Sequence, residues 1–337
     1  MKTRLFCTKK VASAILFVMM LIATTSMSYG SESDLNNEYR TPEQIKSFLN
    51  SHPVDNNAFN DSYVFSYQKT PLLASSYEPG TLSKKSLTSP LHLIENIRYI
   101  AGIPADLKLS DEYTRMAQNA SLVSYANDSI SHTPKFSARM SNKIAKSGIR
   151  ACGESNLAWD SWQNVSIEYS ILNIWMKDDS ASNIKALGHR RWILSPEMKR
   201  TGFGAVSGSR GTYSTMYVFD FGRKVKTNYQ IAWPAQHTPT SYFPEGTPWS
   251  LSLGKVLNEQ KIKVTLTRLS DGKVWNFSKK NSDGKFYVNN DAYGQKGCII
   301  FQPSNLHACH SGDVFRVEVT GAGKTISYNV NFFNEKA

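Results

Sequence analysis

Beyond its first thirty residues the chain has no long apolar run, no block of like charge and no common catalytic signature. A helix needs roughly 20 consecutive apolar residues to cross a bilayer, and no segment after residue 30 supplies them, so no stable membrane insertion is expected there. No run of Lys and Arg exceeds two residues, and no aromatic and basic module of the RNA- or DNA-reading kind occurs. The formal charge of +12 therefore describes a solvated surface with some attraction to anionic envelope polymers, and no nucleic-acid partner is expected. Neither a Gly-x-Ser-x-Gly elbow nor a His-Glu-x-x-His spacing is present, so no serine-hydrolase turn and no two-histidine zinc face on one helix is encoded. Cysteine is scarce, with four among 337 residues.

What is present begins with Lys2, Arg4, Lys9 and Lys10 ahead of an apolar run from Val11 to Ala23, then Ser28 and Gly30 at signal-peptidase spacing. Residues 1–30 read as a cleaved secretory signal, because a run of about 13 residues is short for a span. The expected location is outside the cytoplasm, extracellular or periplasmic. Cys7 leaves with the leader, so Cys152, Cys298 and Cys309 remain, an odd number. In an oxidising compartment Cys298 and Cys309, close in sequence within one strand-rich region, are expected to pair. Cys152 is expected to be a small buried hydrophobe.

About 300 residues without the leader favour two domains at roughly 150 residues each. Residues 31–88 are polar and loop-rich, with one short helix started by Thr41-Pro42-Glu43, a cap followed by proline at the first helical position. Ser89-Pro90 is expected to open a longer helix, with Leu91, Ile94, Ile97 and Ala101 on one face, Glu95 and Arg98 on the surface, and Gly102 and Pro104 as its stop. Ser110 caps the next, whose stripe is Tyr113, Met116, Ala117, Ala120 and Val123. A third helix is expected from about Val165 to Lys177. After Arg200 the pattern alternates. Residues 202–207 and 212–221 read as a pair of antiparallel strands. From Trp233-Pro234 onward six or seven strands, with Asp271-Gly272 as a hairpin turn, point to a small β-sandwich.

Three distant polar segments stand out: Ser131-His132-Thr133-Pro134, Gly153-Glu154, and Gly188-His189-Arg190-Arg191 just before a glycine-marked strand. Two readings of the histidines stay open. Neutral imidazoles bind zinc or a similar ion, with a carboxylate completing or orienting the site; equally, they serve as hydrogen-bonded pocket walls that tie loops together. Arg190, Arg191 and Lys185 bring positive charge suited to an anionic headgroup or glycan carboxylate, or to ion pairs that pin the loop. His307, Cys309 and His310 with Cys298 fit no standard zinc spacing, and a disulfide with bystander histidines is the expectation.

With residues 93–104, Ala117-Gln118-Asn119-Ala120, Ser131-His132-Thr133-Pro134, Gly153-Glu154-Ser155-Asn156 and Gly188-His189-Arg190-Arg191 in this order, the middle of the chain resembles the CAP superfamily (cysteine-rich secretory, antigen 5 and pathogenesis-related proteins) in its bacterial branch. The resemblance covers roughly residues 89–222. It implies an α+β fold, an α-β-α sandwich at residues 89–232, here followed by an Ig-like antiparallel β-sandwich at 233–337. It also implies a cleft set with two histidines and two acids that in some members holds a divalent metal. Carried over, these are His132, His189 and Glu154, with Asp178 as second acid, although Trp175 leads here to Asp where the family has Glu. Ser155 stands where an Asn usually follows the first acid. The cleft set is thus His132, Glu154, Asp178, His189 and Arg190, with His132 and His189 as the metal-binding pair. The resulting expectation is a secreted, non-catalytic binding protein for a small apolar or anionic envelope-derived ligand. Two other readings are a metal-assisted, peptidase-like hydrolase using His132, His189 and Glu154, and a cell-surface adhesion module.

Overall fold

The computed structural model describes residues 33–55, 65–74, 76–225 and 229–335; the expected signal segment lies outside the described residues. Thr41 opens helix α1 (Pro42–Ser51) with a reciprocal capping box to Gln44, satisfying two backbone N–H groups that the first helical turn leaves free. Helix α2 (Lys84–Ile100) starts earlier than Ser89-Pro90 suggests. Ser83 is its cap, accepting from the Ser86 N–H, and Pro90 lies inside the helix. Gly102 ends it as expected, at φ +68°, where an added Cβ would lie 2.2 Å from the Glu38 carbonyl oxygen; only glycine fits both demands. Helix α3 (Asp111–Asn127), capped by Ser110, buries the expected Met116, Ala117, Ala120 and Val123.

Helix α4 (Asn142–Gly153) and strand β1 (Ser155–Asp160) were not legible in sequence. The buried stripe of α4 is Ala145, Gly148, Ala151 and Cys152, side chains too small to show as a hydrophobic period. The short helix α5 (Ile167–Tyr169) continues as a π-helical stretch, Ser170–Met176, and α6 (Gly188–Ile193) carries His189. Strands β2 (Phe203–Gly208) and β3 (Gly211–Tyr217) form the expected hairpin, and β1 pairs antiparallel with β3 on its other side. The alternation of this sheet sorts its side chains into two cores. Leu157, Val206, Tyr213 and Tyr217 pack with Met116, Ala120 and Val123 of α3 and with Cys152 of α4. Ala158, Phe203, Ala205 and Met216 share a core with Leu93 and Ile97 of α2 and with Trp175. Helices thus cover both faces of the sheet.

The C-terminal strands are β4 (Ile231–Trp233), β5 (His237–Pro239), β6 (Trp249–Ser252), β7 (Lys263–Arg268), β8 (Val274–Ser278), β9 (Gly284–Asn289), β10 (Cys298–Pro303), β11 (Val314–Thr320) and β12 (Ile326–Phe333). They form a four-stranded sheet, β4-β6-β10-β9, and a five-stranded sheet, β5-β12-β11-β7-β8. All pairs are antiparallel except β5 with β12, which is parallel. Trp249 and Phe301 of the first sheet meet Phe315 and Phe332 of the second, with Trp249 to Phe315 ring centroids 5.3 Å apart. Burying each such phenylalanine stabilises by about 1.5–3 kcal/mol over leaving it exposed. Strand β4 straddles the expected division at 232/233.

The same apolar cluster that holds Trp249 and Phe332 also holds Trp175, Ile97 and Ile45, and residues 32–337 form one compact unit. The N-terminal segment fastens it. Asp34 bonds Ser327 and Lys324, Asn36 and Gln230 exchange backbone and side-chain hydrogen bonds, and the Asn37 amide reaches the Ala101 carbonyl.

Two expectations fail here for the same reason, the facing of side chains. The Cys298–Cys309 disulfide does not form, and both thiols are free. Cys298 shares one face of β10 with Ile300 and packs on Leu187, whereas Ile299 and Phe301 face the sandwich core on which Cys309 packs. The two sulfurs therefore belong to opposite sides of a sheet. Likewise Glu95 and Arg98 are not surface residues: they are 7 % and 0 % exposed.

Candidate functional site

Two residues flanking the 178–187 loop take left-handed backbone, Asp178 at φ 51° and Leu187 at φ 49°. An apolar side chain there costs about 1–2 kcal/mol, which the burial of Leu187 against Cys298 and Ile300 of the four-stranded sheet offsets. This geometry folds Asp178 back onto the start of α6. One carboxylate oxygen accepts the His189 backbone N–H at 3.0 Å and the Arg190 N–H at 3.4 Å. The other accepts His189 Nδ1 at 2.8 Å, and the Asp178 side chain is fully buried. A carboxylate only accepts, so Nδ1 of the neutral ring carries the proton and Nε2 presents its lone pair.

His132, in the turn after α3, is fixed in the same sense: its Nδ1 donates to the Cys152 carbonyl at 2.7 Å. His132 and His189 both line a cleft of about 350 Å³. Its lining includes the aromatic residues Trp192, Phe219 and Tyr293, with ring centroids 4.6 Å apart for Trp192 and Phe219 and 6.3 Å for Trp192 and Tyr293. Its polar lining includes Ser155, Asn156 and Asn183. Asn156 also donates to the His189 carbonyl at 3.0 Å, tying β1 to α6.

The other expected site residues sit elsewhere. Glu154 is not on the cleft wall, though Gly153 and Ser155 beside it are. Its carboxylate accepts from Arg150 Nε at 3.1 Å and from the Tyr217 hydroxyl at 2.9 Å, so it braces α4 against β3. Burial and this carboxylate together push the Tyr217 phenol up. Arg190 is fully buried and does not line the cleft. Its guanidinium donates to the carbonyls of Met176, Lys177 and Pro248 and to the Ser250 hydroxyl, joining the π-helical stretch to β6 and the loop before it. Burial lowers its pKa to about 10. Arg191 is spent in the same way, on Ala186, Asn289, Asp291 and Gln295. Both guanidiniums are thus turned toward acceptors of the scaffold, most of them backbone carbonyls, and neither arginine lines the cleft.

The residues do not fit a metal. Among the described residues no group of three or more His, Cys, Asp and Glu side chains is placed to hold an ion. Each cleft imidazole has one nitrogen committed and offers only Nε2, while a zinc site takes at least three protein ligands.

Tyr293 was missed in sequence. It lies between β9 and β10, outside any periodic segment, and only tertiary packing brings it to α6. Gly294 beside it has φ +66°, and a Cβ there would lie 2.7 Å from the Arg191 carbonyl oxygen. Arg191 stacks over the Tyr293 ring at 5.2 Å. A Tyr-Gly pair within a loop is the one local signal of such a tight approach.

Residues 91–221, which contain every cleft residue except Tyr293, match the family model described as CAP, the cysteine-rich secretory protein family. This segment is a CAP domain. No curated protein matches the chain. Among solved structures, one match is the crystal structure of the ZIG-8-RIG-5 IG1-IG1 heterodimer in its monoclinic form, 14% identical, covering 33% of this chain and 89% of that one at a TM-score of 0.20. A likeness of that size carries no argument. The CAP domain is α+β, and its cleft is completed by a tyrosine from the strands that follow it.

Proposed function

We propose that the chain is an exported protein whose CAP domain binds a small envelope-derived ligand without turning it over. The observation that carries this is the cleft itself, which two tautomer-fixed imidazoles line together with three aromatic rings. A volume of about 350 Å³ and a few convergent polar groups on aromatic walls are the usual features of a small-molecule site. Binding is favoured over hydrolysis because the metal-assisted route through His132, His189 and Glu154 lacks a third converging ligand and Glu154 is held by Arg150 and Tyr217. Export rests on the leader pattern of residues 1–30.

The division into a CAP domain at 89–232 and a companion sandwich at 233–337, Ig-like in kind, belongs to the same proposal. Its support is the pair of sheets packed on one aromatic core. The companion role is favoured over an independent adhesion module because the sandwich shares a core with α2 and lends Tyr293 to the cleft. To test the reading, purified protein is incubated with an envelope extract, and retained small molecules are identified by mass spectrometry for the native chain and for His189→Ala. Retention by the native chain and at least fivefold less by the variant is expected. Equal retention by both, or none by either, rejects the cleft as the binding site.

A further inference from the structure

We infer that the ligand of this cleft is an uncharged sugar ring bearing hydroxyl and amide groups, an N-acetylhexosamine unit of a glycan chain; this rests on the binding reading above. The first observation is the chemistry of the wall, which contains no Lys, Arg, Asp or Glu. Asp178 is buried behind His189 and already accepts three N–H groups. An ionic headgroup would leave water for a cleft with no counter-charge, which costs several kcal/mol. A neutral ligand avoids that cost.

The second observation is what the wall asks for. Both imidazoles offer an Nε2 lone pair once their Nδ1 protons are committed, and so they call for donors such as hydroxyl or amide N–H. Ser155 is 4 % exposed and lines the cleft, yet its Oγ has no hydrogen-bond partner in the protein. A buried hydroxyl without a partner is costly in the free protein, and a turn of the Ser155 side chain toward the cleft would let a ligand group pair with it and recover that cost. Asn156 and Asn183 add amides, which pair with an acetamido group as well as with hydroxyls.

The third observation is the aromatic share of the lining. Trp192, Phe219 and Tyr293 bring aromatic rings to the same cleft as these polar groups. A ligand with apolar faces and a rim of donors matches that mixture, and a pyranose ring has its C–H groups on its faces and its hydroxyls around its edge. A fully apolar ligand would offer no donor to the two Nε2 atoms and nothing to the Ser155 hydroxyl. Tyr293 is then the residue through which the C-terminal strands take part in recognition. Its loop is clamped to α6 by Arg191 through the Asp291 and Gln295 carbonyls and closed by Gly294.

The test is calorimetric titration of the full chain with chitotetraose and with uncharged N-acetylhexosamine strands released from cell wall, for the native protein and for Ser155→Ala, Tyr293→Ala and Tyr293→Phe. Binding of either glycan is expected, weakened about fivefold by loss of one hydrogen bond in Ser155→Ala and by a similar factor in Tyr293→Ala, with Tyr293→Phe close to native. The melting temperature of Ser155→Ala is expected to be unchanged or higher, because the substitution removes an unpartnered hydroxyl; a merely structural serine would lower it. Binding of only one of the two glycans identifies the source while supporting the class. Glycan binding that neither Ser155→Ala nor Tyr293→Ala weakens overturns the inference. If no glycan binds while the envelope extract yields a lipid or other amphipath that His189→Ala releases, the sugar assignment fails and the binding reading stands. If neither glycan nor extract yields a ligand, both fail. Should Ser155→Ala not fold, the Tyr293 pair decides.

Discussion

Arg190 shows how a residue's chemistry is redirected by its neighbours. Its sequence context, beside His189 and followed by Arg191, suits an anion site, yet it reaches four acceptors that are all part of the scaffold, three of them carbonyls. Replacing it with Ala strands those acceptors and opens a cavity, and we expect a loss of about 3–5 kcal/mol, measured by urea denaturation; a loss under about 1 kcal/mol would mean the bonds contribute little. Arg98, donating to Pro104, Ile193 and Ser195, is used in the same way, and burial lowers it to about 9. Glu95, one turn before it, is raised to about 7, chiefly by burial. Below the unfolded carboxyl pKa of 4.5 both states hold the proton. Between there and about 7 the unfolded chain ionises while the folded one stays protonated, so this group's contribution to stability falls as pH rises through that window and is lost above it. Melting temperatures measured from pH 4 to 8 should show that decline, and Glu95→Gln should flatten it. His132, His189 and Asp178 were identifiable because their segments are distinctive in sequence. The direction of Glu154 and the burial of Arg98 were not, because each also depends on partners more than fifty residues away, Tyr217 for Glu154 and Ile193 and Ser195 for Arg98.

At the scale of elements, helices with large apolar side chains were legible and those with small ones were not. Helix α3 carries Met116 and Val123 in its buried stripe, whereas α4 carries Ala145, Gly148 and Ala151; both contribute to one core, but only the first leaves a visible period. The start of α2 was displaced for a related reason, since Pro90 resembles a first-turn residue locally while Ser83 actually holds the cap. The loop between β9 and β10 is the element on which the cleft depends most. Gly294→Ala forces a Cβ against the Arg191 carbonyl at positive φ, a strain of about 1 kcal/mol or more. We expect a lowered melting temperature together with weaker ligand retention, read by the envelope-extract assay above. A melting loss with unchanged retention would show that Tyr293 does not need this loop geometry.

For the whole molecule, one apolar core joins α2, the π-helical stretch and both C-terminal sheets, so residues 32–337 should unfold as a single cooperative unit. Scanning calorimetry is expected to give one transition with matching calorimetric and van't Hoff enthalpies; two independent transitions would separate the CAP domain from the sandwich. The sequence by itself determined the class of each half, helices first and alternating strands after, together with the CAP motifs and the two histidines. These are encoded by local periodicity and short-range spacing. Tertiary structure alone decided that the halves share a core, that Glu154 and the arginines brace the scaffold while Asp178 aims His189, and that Tyr293 closes the cleft. Each of those outcomes depends on distant backbone groups competing for the same donors and the same buried space, and no window along the chain contains both competitors.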